Sequence, residues 1–293
     1  MTQRTPSNTA FSLALFRWHL CARAVFLCLF FVSAPYGRFY TPKAKSSLWW
    51  GPAVDGRIGW TVQELASPIA LLSFYHCRDE AWLFSFPNAT NTTNNGGTVL
   101  VLSWFFVHYM HRAVVWPWRR TMGKTNFPVV GSAILFNFFN GKFIASELRA
   151  IGGIRRSQDD VLFKLGLVLA VFGALVNVVS DEILLRRRRA NTRATPSRAA
   201  ARRHSVVSTN KSSKYILPNG FFFDYVLCPN YLGEFIEWLG LAVATNNLAL
   251  RAFALWTFAN LFPRAVNYRR WYVDTFGEKA VGKHRKAFLP FLV

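Results

Sequence analysis

Acidic residues are scarce in this sequence. Its 293 residues include 14 Asp and Glu against 35 Lys and Arg, which gives a formal net charge of +21 at pH 7. A positive excess of this size suits nucleic acid, anionic lipid or an anionic cofactor as a partner. Much of it lies between hydrophobic segments rather than on a separate basic domain, as the cytosol-facing loops of a multi-span membrane protein require. We therefore discount nucleic acid as a partner.

Cysteine and histidine are also few. The four cysteines show neither CxxC nor zinc-finger spacing, so the sequence predicts no disulfide framework and no structural zinc site. Of the six histidines, His108 and His111 alone are close enough to share a helix face, and no third ligand lies near them in the sequence. Both are expected to be packed or hydrogen-bonded rather than metal-bound. A GxGxxG phosphate loop is absent as well, so a nucleotide site in this chain must be built differently.

Hydrophobic residues, by contrast, are abundant. They make up 52% of the chain, and aromatic residues make up 16%, which is more than an ordinary soluble protein requires. We predict an all-α integral membrane protein with about seven transmembrane helices. The predicted spans lie at about 10–34, 61–84, 98–116, 127–145, 161–185, 233–249 and 251–266. Residues 1–9 are an N-terminal tail, and residues 10–293 are a single membrane domain.

A strongly basic segment follows the fifth predicted span. Residues 186–214 contain ten Lys or Arg and no acidic residue, together with Ser, Thr, Ala and Asn. Such a composition cannot bury a core and predicts a flexible insertion. The excess of positive charge places this insertion in the cytosol. Setting the membrane topology is the simplest function for it.

The orientation of the other loops follows by counting from this insertion. The N-terminus is then lumenal or extracellular, and the basic C-terminal tail is cytosolic. The Asn- and Thr-rich loop 87–97 faces the lumen, where its glycosylation patterns at Asn88 and Asn91 would be accessible. One loop departs from the rule, because residues 148–160 carry three arginines on the predicted lumenal side.

Polar side chains inside the predicted spans cluster toward the cytosolic side. Such groups cost several kcal/mol in an apolar environment unless they are paired or bind a ligand. A polar layer bordered by Arg and Lys suits a ligand that carries phosphates, and a nucleotide cofactor is a natural candidate. The layer contains Glu64, His108, Tyr109, Arg112, Asn177, Asp181, Asn230, Glu234 and Glu237.

Structural roles are open for several of these residues. Glu64 begins its span and would serve equally well as a helix cap, and Tyr109 would serve as an interfacial aromatic residue. Asn177 and Asp181 are four residues apart on one helix face, where an interhelical hydrogen bond is as natural as a ligand contact.

Five motifs, in this order, resemble those of the steroid 5α-reductase family. They are QEL at 63–65, HYMHR at 108–112, NVVSDEIL at 177–184, NYLGEFIEW at 230–238 and RKAFLPFLV at 285–293. The resemblance covers residues 35–293 apart from the basic insertion. The last third alone is also similar to enoyl-CoA and polyprenol reductases and, more distantly, to isoprenylcysteine methyltransferases. QEL together with HYMHR favours the steroid branch.

This resemblance implies a seven-helix membrane reductase that uses NADPH to saturate the C4–C5 double bond of a 3-oxo-Δ4-steroid. Glu64 and Tyr109 would be catalytic and would hydrogen-bond the substrate ketone while a hydride adds to the β carbon of the enone. Glu64 would have to be protonated in order to donate. The resemblance also implies an endoplasmic reticulum membrane in a eukaryote, a substrate that enters from the bilayer, contact with membrane lipids, and a monomer.

The resemblance assigns the cofactor to polar positions of the motifs. Glu237 matches one such position, but a structural role would suit it too. Lys124 corresponds to a phosphate-binding arginine of the family, although the loop after the third span is one residue longer in this chain. The sequence Tyr215-Ile216-Leu217-Pro218 lacks a basic contact that the family has after its tyrosine. The implied NADPH-binding residues are Arg112, Lys124, Asn177, Asp181, Arg188, Tyr215, Asn230, Glu234, Arg264 and Tyr272.

Two alternatives remain at this stage. The chain is also compatible with a reductase of another unsaturated lipid, such as a trans-2-enoyl-CoA or a polyprenol. A non-catalytic membrane transport or binding protein, in which the polar layer lines a pathway, belongs to a different class. An enzyme with Glu64→Gln or Tyr109→Phe should lose turnover and keep NADPH binding, whereas a carrier has no NADPH to bind.

Overall fold

The computed structural model of the protein describes residues 6–31, 51–76, 96–201 and 215–292, and these are almost entirely helical. The helices are α1 Pro6–Phe31, α2 Gly56–His76, α3 Gly96–Tyr109, α4 Trp116–Trp118, α5 Phe127–Ala150, α6 Val161–Ala201, α7 Pro229–Thr245, α8 Leu248–Phe276 and α9 Glu278–Val281. Two short strands, β1 Ala53–Val54 and β2 Thr125–Asn126, pair antiparallel. A π-helical turn, Met110–Val115, joins α3 to α4, and a 3₁₀ turn, Phe221–Asp224, precedes α7.

The predicted all-α class is confirmed for this part of the chain. Four stretches are long and apolar enough to cross a membrane: Phe11–Leu29, Gly96–Trp118, Phe127–Ala150 and Val161–Asn191. The other predicted spans coincide, over their described residues, with α2, α7 and α8. The total of seven spans and the orientation of the termini stay predictions.

The basic segment after the fifth predicted span corrects one expectation. The predicted flexible insertion begins at Arg186, but α6 continues without a break to Ala201. The prediction was therefore wrong for residues 186–201, because Ala and Arg are good helix formers and a helix that has already been nucleated is easily extended. Residues 202–214 lie outside the described chain, as do Asn88 and Asn91.

Helices α6 and α7 touch through their backbones. A methyl group added at Gly173 of α6 would lie 2.2 Å from the backbone nitrogen of Glu237, and one added at Gly233 of α7 would lie 2.5 Å from that of Asn177. Gly166 and Gly240 make the same kind of contact further along the pair. Small residues at such positions let two membrane helices approach closely. The polar residues at one end of α6 are thereby held against those at the start of α7.

Gly173→Ala is expected to lower the stability of the protein by about 1–3 kcal/mol, because the added methyl group must push two backbones apart. Thermal unfolding in detergent measures this. Gly131→Ala in α5 is a matched control, since a methyl group added there meets no atom within 4 Å. It should be neutral or slightly stabilising, as alanine is a better helix former. Equal melting temperatures for the two variants would contradict direct backbone contact between α6 and α7.

Exposed aspartates cap the starts of two helices. The Asp55 carboxylate accepts hydrogen bonds from the backbone N–H groups of Ile58 and Arg57, and these bonds, led by that of Ile58, lower its pKa. Asp160 caps α6 in the same way, and the Leu162 N–H lowers its pKa. Because both values are lowered on folding, the stabilisation is present at neutral pH and is lost as the pH falls through the folded-state pKa.

A buried carboxylate fixes the start of α8. Glu147 of α5 is fully buried and accepts hydrogen bonds from the backbone N–H groups of Leu248 at 3.0 Å and Ala249 at 2.7 Å. Arg155 neutralises its charge with a 3.0 Å contact. Helix N-termini favour a negative charge, so this arrangement holds α5, the loop after it and α8 together.

The main apolar core lies where α1, α2, α3, α5, α7 and α8 meet. Trp238 of α7 is fully buried and packs 4.5 Å from Phe253 and 5.0 Å from Phe105, measured between ring centroids. Its ring also lies 4.6 Å from that of His108. The core therefore reaches directly to the HYMHR motif and keeps water from that side of it.

Candidate active site

A buried arginine joins three of the motifs. Arg112 has a side chain that is only 7% exposed, and it contacts Asp181 of α6 at 3.3 Å and Glu234 of α7 at 3.0 Å. A buried cation needs such partners because its desolvation is otherwise too costly. HYMHR, NVVSDEIL and NYLGEFIEW thus meet at one point of the helix bundle.

Two asparagines extend this network. The Asn230 amide donates to Asp181 at 3.0 Å. The Asn177 amide donates to the Asn230 carbonyl at 2.9 Å and to the Glu234 carboxylate at 3.3 Å. Five residues predicted from the sequence, Arg112, Asn177, Asp181, Asn230 and Glu234, therefore form one hydrogen-bonded cluster, which we call the polar cluster.

The π-helical turn Met110–Val115 aims Arg112 into this cluster. Its carbonyl group at Arg112 accepts a hydrogen bond from the Trp60 indole at 3.1 Å, and that at Ala113 accepts one from the Thr61 hydroxyl at 2.9 Å. Side chains of α2 thus satisfy backbone groups where the α-helical pattern is interrupted. π-Helical turns are frequent at functional sites.

Two tryptophans support Arg112, and sequence reasoning missed both. Its guanidinium lies 5.0 Å from the ring centroid of Trp60 and 4.9 Å from that of Trp116. Cation–π contacts of this kind stabilise a guanidinium away from water. Trp116 follows HYMHR by four residues, so its position near Arg112 could have been noticed in the sequence. A tryptophan at that place also suits an anchor at the membrane interface.

Glu64 and Tyr109 lie beside the polar cluster. Tyr109 is buried, with 3% of its surface exposed, and its side chain hydrogen-bonds that of Ser67. Glu64 is half-buried and accepts a 3.4 Å hydrogen bond from Gln63. It is close enough to Tyr109 and Arg112 for direct electrostatic interaction. The catalytic role of this pair stays a prediction, but the fold brings the two side chains together.

Glu237 binds α3 rather than the polar cluster. It is buried and accepts hydrogen bonds from the Trp104 indole at 2.9 Å and from His108 Nδ1 at 2.8 Å. The hydrogen-bonded role expected for His108 is confirmed. A structural role for Glu237, the alternative to cofactor binding, agrees with these contacts.

Arg120 lies beside the polar cluster, on the side of the predicted cytosol. Arg120 interacts electrostatically with Arg188 and Asp181, and its guanidinium lies 4.1 Å from the Trp116 ring centroid. Burial, followed by the charge of Arg188, lowers the pKa of Arg120 to about 10, so it remains charged at pH 7. Arg264 of α8 is buried, with its guanidinium 5.7 Å from the Tyr268 ring.

Tyr215 and Tyr272 belong to an aromatic group at the end of α8. Trp271 lies 5.0 Å from Tyr215 and 5.2 Å from Tyr272, between ring centroids. Tyr272 is buried with Leu227 and Val281. Their predicted cofactor role is untested by these contacts.

Lys124 stands apart from the other predicted cofactor residues. It is exposed in the loop before β2, and it makes no ion pair or hydrogen bond within the described chain. The backbone of this loop instead packs on the start of α2, where the Gly123 carbonyl abuts Gly56. The fold therefore does not bring Lys124 into contact with the polar cluster.

The C-terminal motif has a structural position. Lys286 exchanges backbone hydrogen bonds of 2.9 Å with Tyr225 and Leu227, and Arg285 donates to the Pro218 carbonyl at 2.9 Å. Phe288 is fully buried against α7 and α8. The RKAFLPFLV segment thus secures the loop that leads into NYLGEFIEW.

The family model of 3-oxo-5-alpha-steroid 4-dehydrogenases matches residues 124–293. A steroid 5-alpha-reductase of Arabidopsis thaliana is 33% identical over 274 residues, which cover 89% of this chain and 88% of the relative. One of Solanum lycopersicum is 35% identical, with coverages of 91% and 90%. The human 3-oxo-5-alpha-steroid 4-dehydrogenase 1 is 31% identical over 261 residues, with coverages of 88% and 85%.

Proposed function

We propose, because the chain belongs to the 3-oxo-5-alpha-steroid 4-dehydrogenase family, that it reduces the C4–C5 double bond of a 3-oxo-Δ4-steroid with NADPH. As a member of this family it is an oxidoreductase that acts on a steroid carbon–carbon double bond, and the family implies a nicotinamide cofactor. Its apolar helices fit a membrane protein in contact with lipid. The choice of NADPH, a monomeric state, substrate entry from the bilayer and the endoplasmic reticulum membrane belong to the proposal.

The residues of the site fit a phosphorylated dinucleotide. The polar cluster offers amide donors and carboxylate acceptors, which suit ribose hydroxyls and a carboxamide. Arginines beside it suit phosphate oxygens. The Nε atom of Arg120 is buried without a hydrogen-bond partner in the described chain, as expected of a group whose partner is a ligand. We therefore infer that Arg112, Asn177, Asp181, Asn230 and Glu234, with Arg120, Arg188 and Arg264, hold the cofactor.

Tyr109 and Glu64 are the candidates for polarising the substrate. When an enone is reduced at its β carbon, negative charge develops on the carbonyl oxygen, and hydrogen-bond donors placed there lower the barrier. The Tyr109 hydroxyl is such a donor, and a protonated Glu64 is a second. Bound nicotinamide supplies the hydride. Uptake of a proton at the α carbon then completes the saturation of the double bond.

The surroundings of Tyr109 strengthen such a hydrogen bond. Its ring packs against Phe105 at 5.6 Å and Trp238 at 6.4 Å, between centroids. Both of these side chains are buried. Water is thereby kept from the Tyr109 ring, and electrostatic stabilisation is larger in a dry, preorganised site than in water. The observation that supports this function most directly is the position of Tyr109 and Glu64 beside the polar cluster.

Purified protein supplied with NADPH is expected to reduce testosterone, progesterone and sterol enones. Consumption of NADPH and the mass of the product, two hydrogens heavier, measure the reaction. A trans-2-enoyl-CoA and a polyprenol belong in the same panel. Reduction of one of these alone would replace the steroid by another lipid substrate, and failure to reduce any steroid enone would exclude the proposed activity.

A further inference from the structure

Arg120 is a partly buried cation beside the polar cluster. It lies just after α4, at the edge of the membrane-spanning part of the chain. Its guanidinium shares the Trp116 ring with Arg112, at 4.1 Å and 4.9 Å from the centroid. Unlike Arg112, it has no carboxylate within salt-bridge distance among the described residues.

The charges around Arg120 do not balance it. Arg188 is a like charge whose interaction with Arg120 is unfavourable, and the neighbouring Asp181 is already bound by Arg112 and Asn230. The other titratable groups that face it are the side chains of Tyr231 and Tyr268, and neither of these is a carboxylate. A partly buried cation beside a like charge is destabilised unless an anion completes the site.

The unsatisfied atom of Arg120 indicates which kind of anion fits. Its Nε is buried without a hydrogen-bond partner in the described chain, and Nε is one arm of the fork with which a guanidinium binds two oxygens of a phosphate. Lys124, to which the family resemblance assigns the phosphate contact of this loop, is exposed and makes no ion pair within the described residues.

We propose that Arg120, rather than Lys124, binds a phosphate group of the dinucleotide cofactor. This inference rests on the proposed function, since it requires that the chain bind such a cofactor. Arg120 lies four residues before Lys124, so the longer loop of this chain is accompanied by a shift of the phosphate contact toward α4. Trp116 holds the guanidinium in place before the ligand arrives, which lowers the entropic cost of binding.

Equilibrium binding of NADPH to the full chain in lipid nanodiscs, followed by nicotinamide fluorescence, tests this assignment. Arg120→Gln is expected to weaken binding about tenfold or more, as the loss of a charge-assisted hydrogen bond does. Arg119→Gln is the matched control, because it removes the same charge from the adjacent residue, which is exposed and paired with Glu182. It should stay within about twofold, as should Lys124→Gln.

Thermal unfolding separates binding from a structural role. Without cofactor, Arg120→Gln should melt within about 3 °C of the wild type, because the charge it removes is not balanced in the free protein. The rise in melting temperature that NADPH causes should shrink in the variant. A structural arginine would behave in the opposite way, with a lower melting temperature and an unchanged affinity.

NADH identifies the phosphate group. If Arg120→Gln weakens the binding of NADPH but not that of NADH, the contact is with the 2′-phosphate. If it weakens the binding of both dinucleotides, the contact is with the pyrophosphate. Either result supports the assignment. Unchanged affinity of Arg120→Gln for both, with wild type binding NADPH, would overturn it, as would a loss in Lys124→Gln alone. Wild-type protein that binds neither dinucleotide would instead overturn the proposed function, and the inference with it.

Discussion

Replacing Tyr109 by phenylalanine is expected to lower turnover about 100- to 1000-fold, the cost of removing one hydrogen-bond donor to a developing oxyanion. The ring itself keeps its packing against Phe105 and Trp238, so the fold should be unaffected. NADPH affinity should change little, because the polar cluster does not include Tyr109. Glu64→Gln should also reduce turnover, since the amide keeps the shape of the carboxyl group but its N–H is a weaker hydrogen-bond donor than the O–H of a carboxylic acid.

Initial rates with a steroid enone, together with equilibrium NADPH binding, measure both variants. Tyr225→Phe is the control, because it removes the hydroxyl of a half-exposed tyrosine outside the site. It should turn over at the wild-type rate. If Tyr109→Phe did the same, the donor to the ketone would have to be another group and the catalytic assignment would be wrong.

Replacing Arg112 by methionine is expected to destabilise the protein by about 3–5 kcal/mol, the usual cost of breaking a buried ion pair by removing one partner. The side chains of Asp181 and Glu234 are only 3% and 15% exposed, and the substitution leaves their charges uncompensated. Thermal unfolding in detergent measures the loss. Cofactor binding should fail in parallel, since the polar cluster is arranged around this guanidinium.

Two further variants identify the physical cause of the stability loss expected for Arg112→Met. Arg119→Met breaks a pair whose side chains are 42% and 27% exposed, so its cost should stay below about 1 kcal/mol. Adding Asp181→Asn and Glu234→Gln to Arg112→Met removes the uncompensated charges, and stability should be partly restored. An Arg112→Met protein as stable as the wild type would show that the buried pairing contributes nothing to the fold.

The helices and the polar residues were predictable from the sequence because both follow from local physics. A run of about 20 apolar residues is long enough to cross a bilayer as a helix, wherever it occurs. Charged residues in such runs must find partners, which is why Arg112, Asp181 and Glu234 could be singled out without a structure. The family motifs depend on the same residues, so they agree with this selection.

The length of α6 and the contacts of the arginines in the loop after α5 were not predictable in this way. The composition indicated a flexible insertion from Arg186, but α6 continues as a helix as far as Ala201. Three arginines depart from the charge bias of the loops, and each donates a hydrogen bond inside the fold. Arg149 donates to the Phe74 carbonyl, Arg155 to the Glu147 carboxylate and Arg156 to the Val243 carbonyl. These charges are explained by tertiary contacts, which a count of charges in each loop does not include.

The sequence by itself thus determined that this protein consists of apolar helices with a polar layer, and which residues form that layer. The tertiary structure alone decided which of them meet: Arg112 with Asp181 and Glu234, Glu237 with His108, and Arg120 rather than Lys124 beside the polar cluster. The physical reason is that partners lie on different helices. Their contact depends on how each helix is rotated about its axis, which the glycine contacts of α6 with α7 and the π-helical turn set through packing.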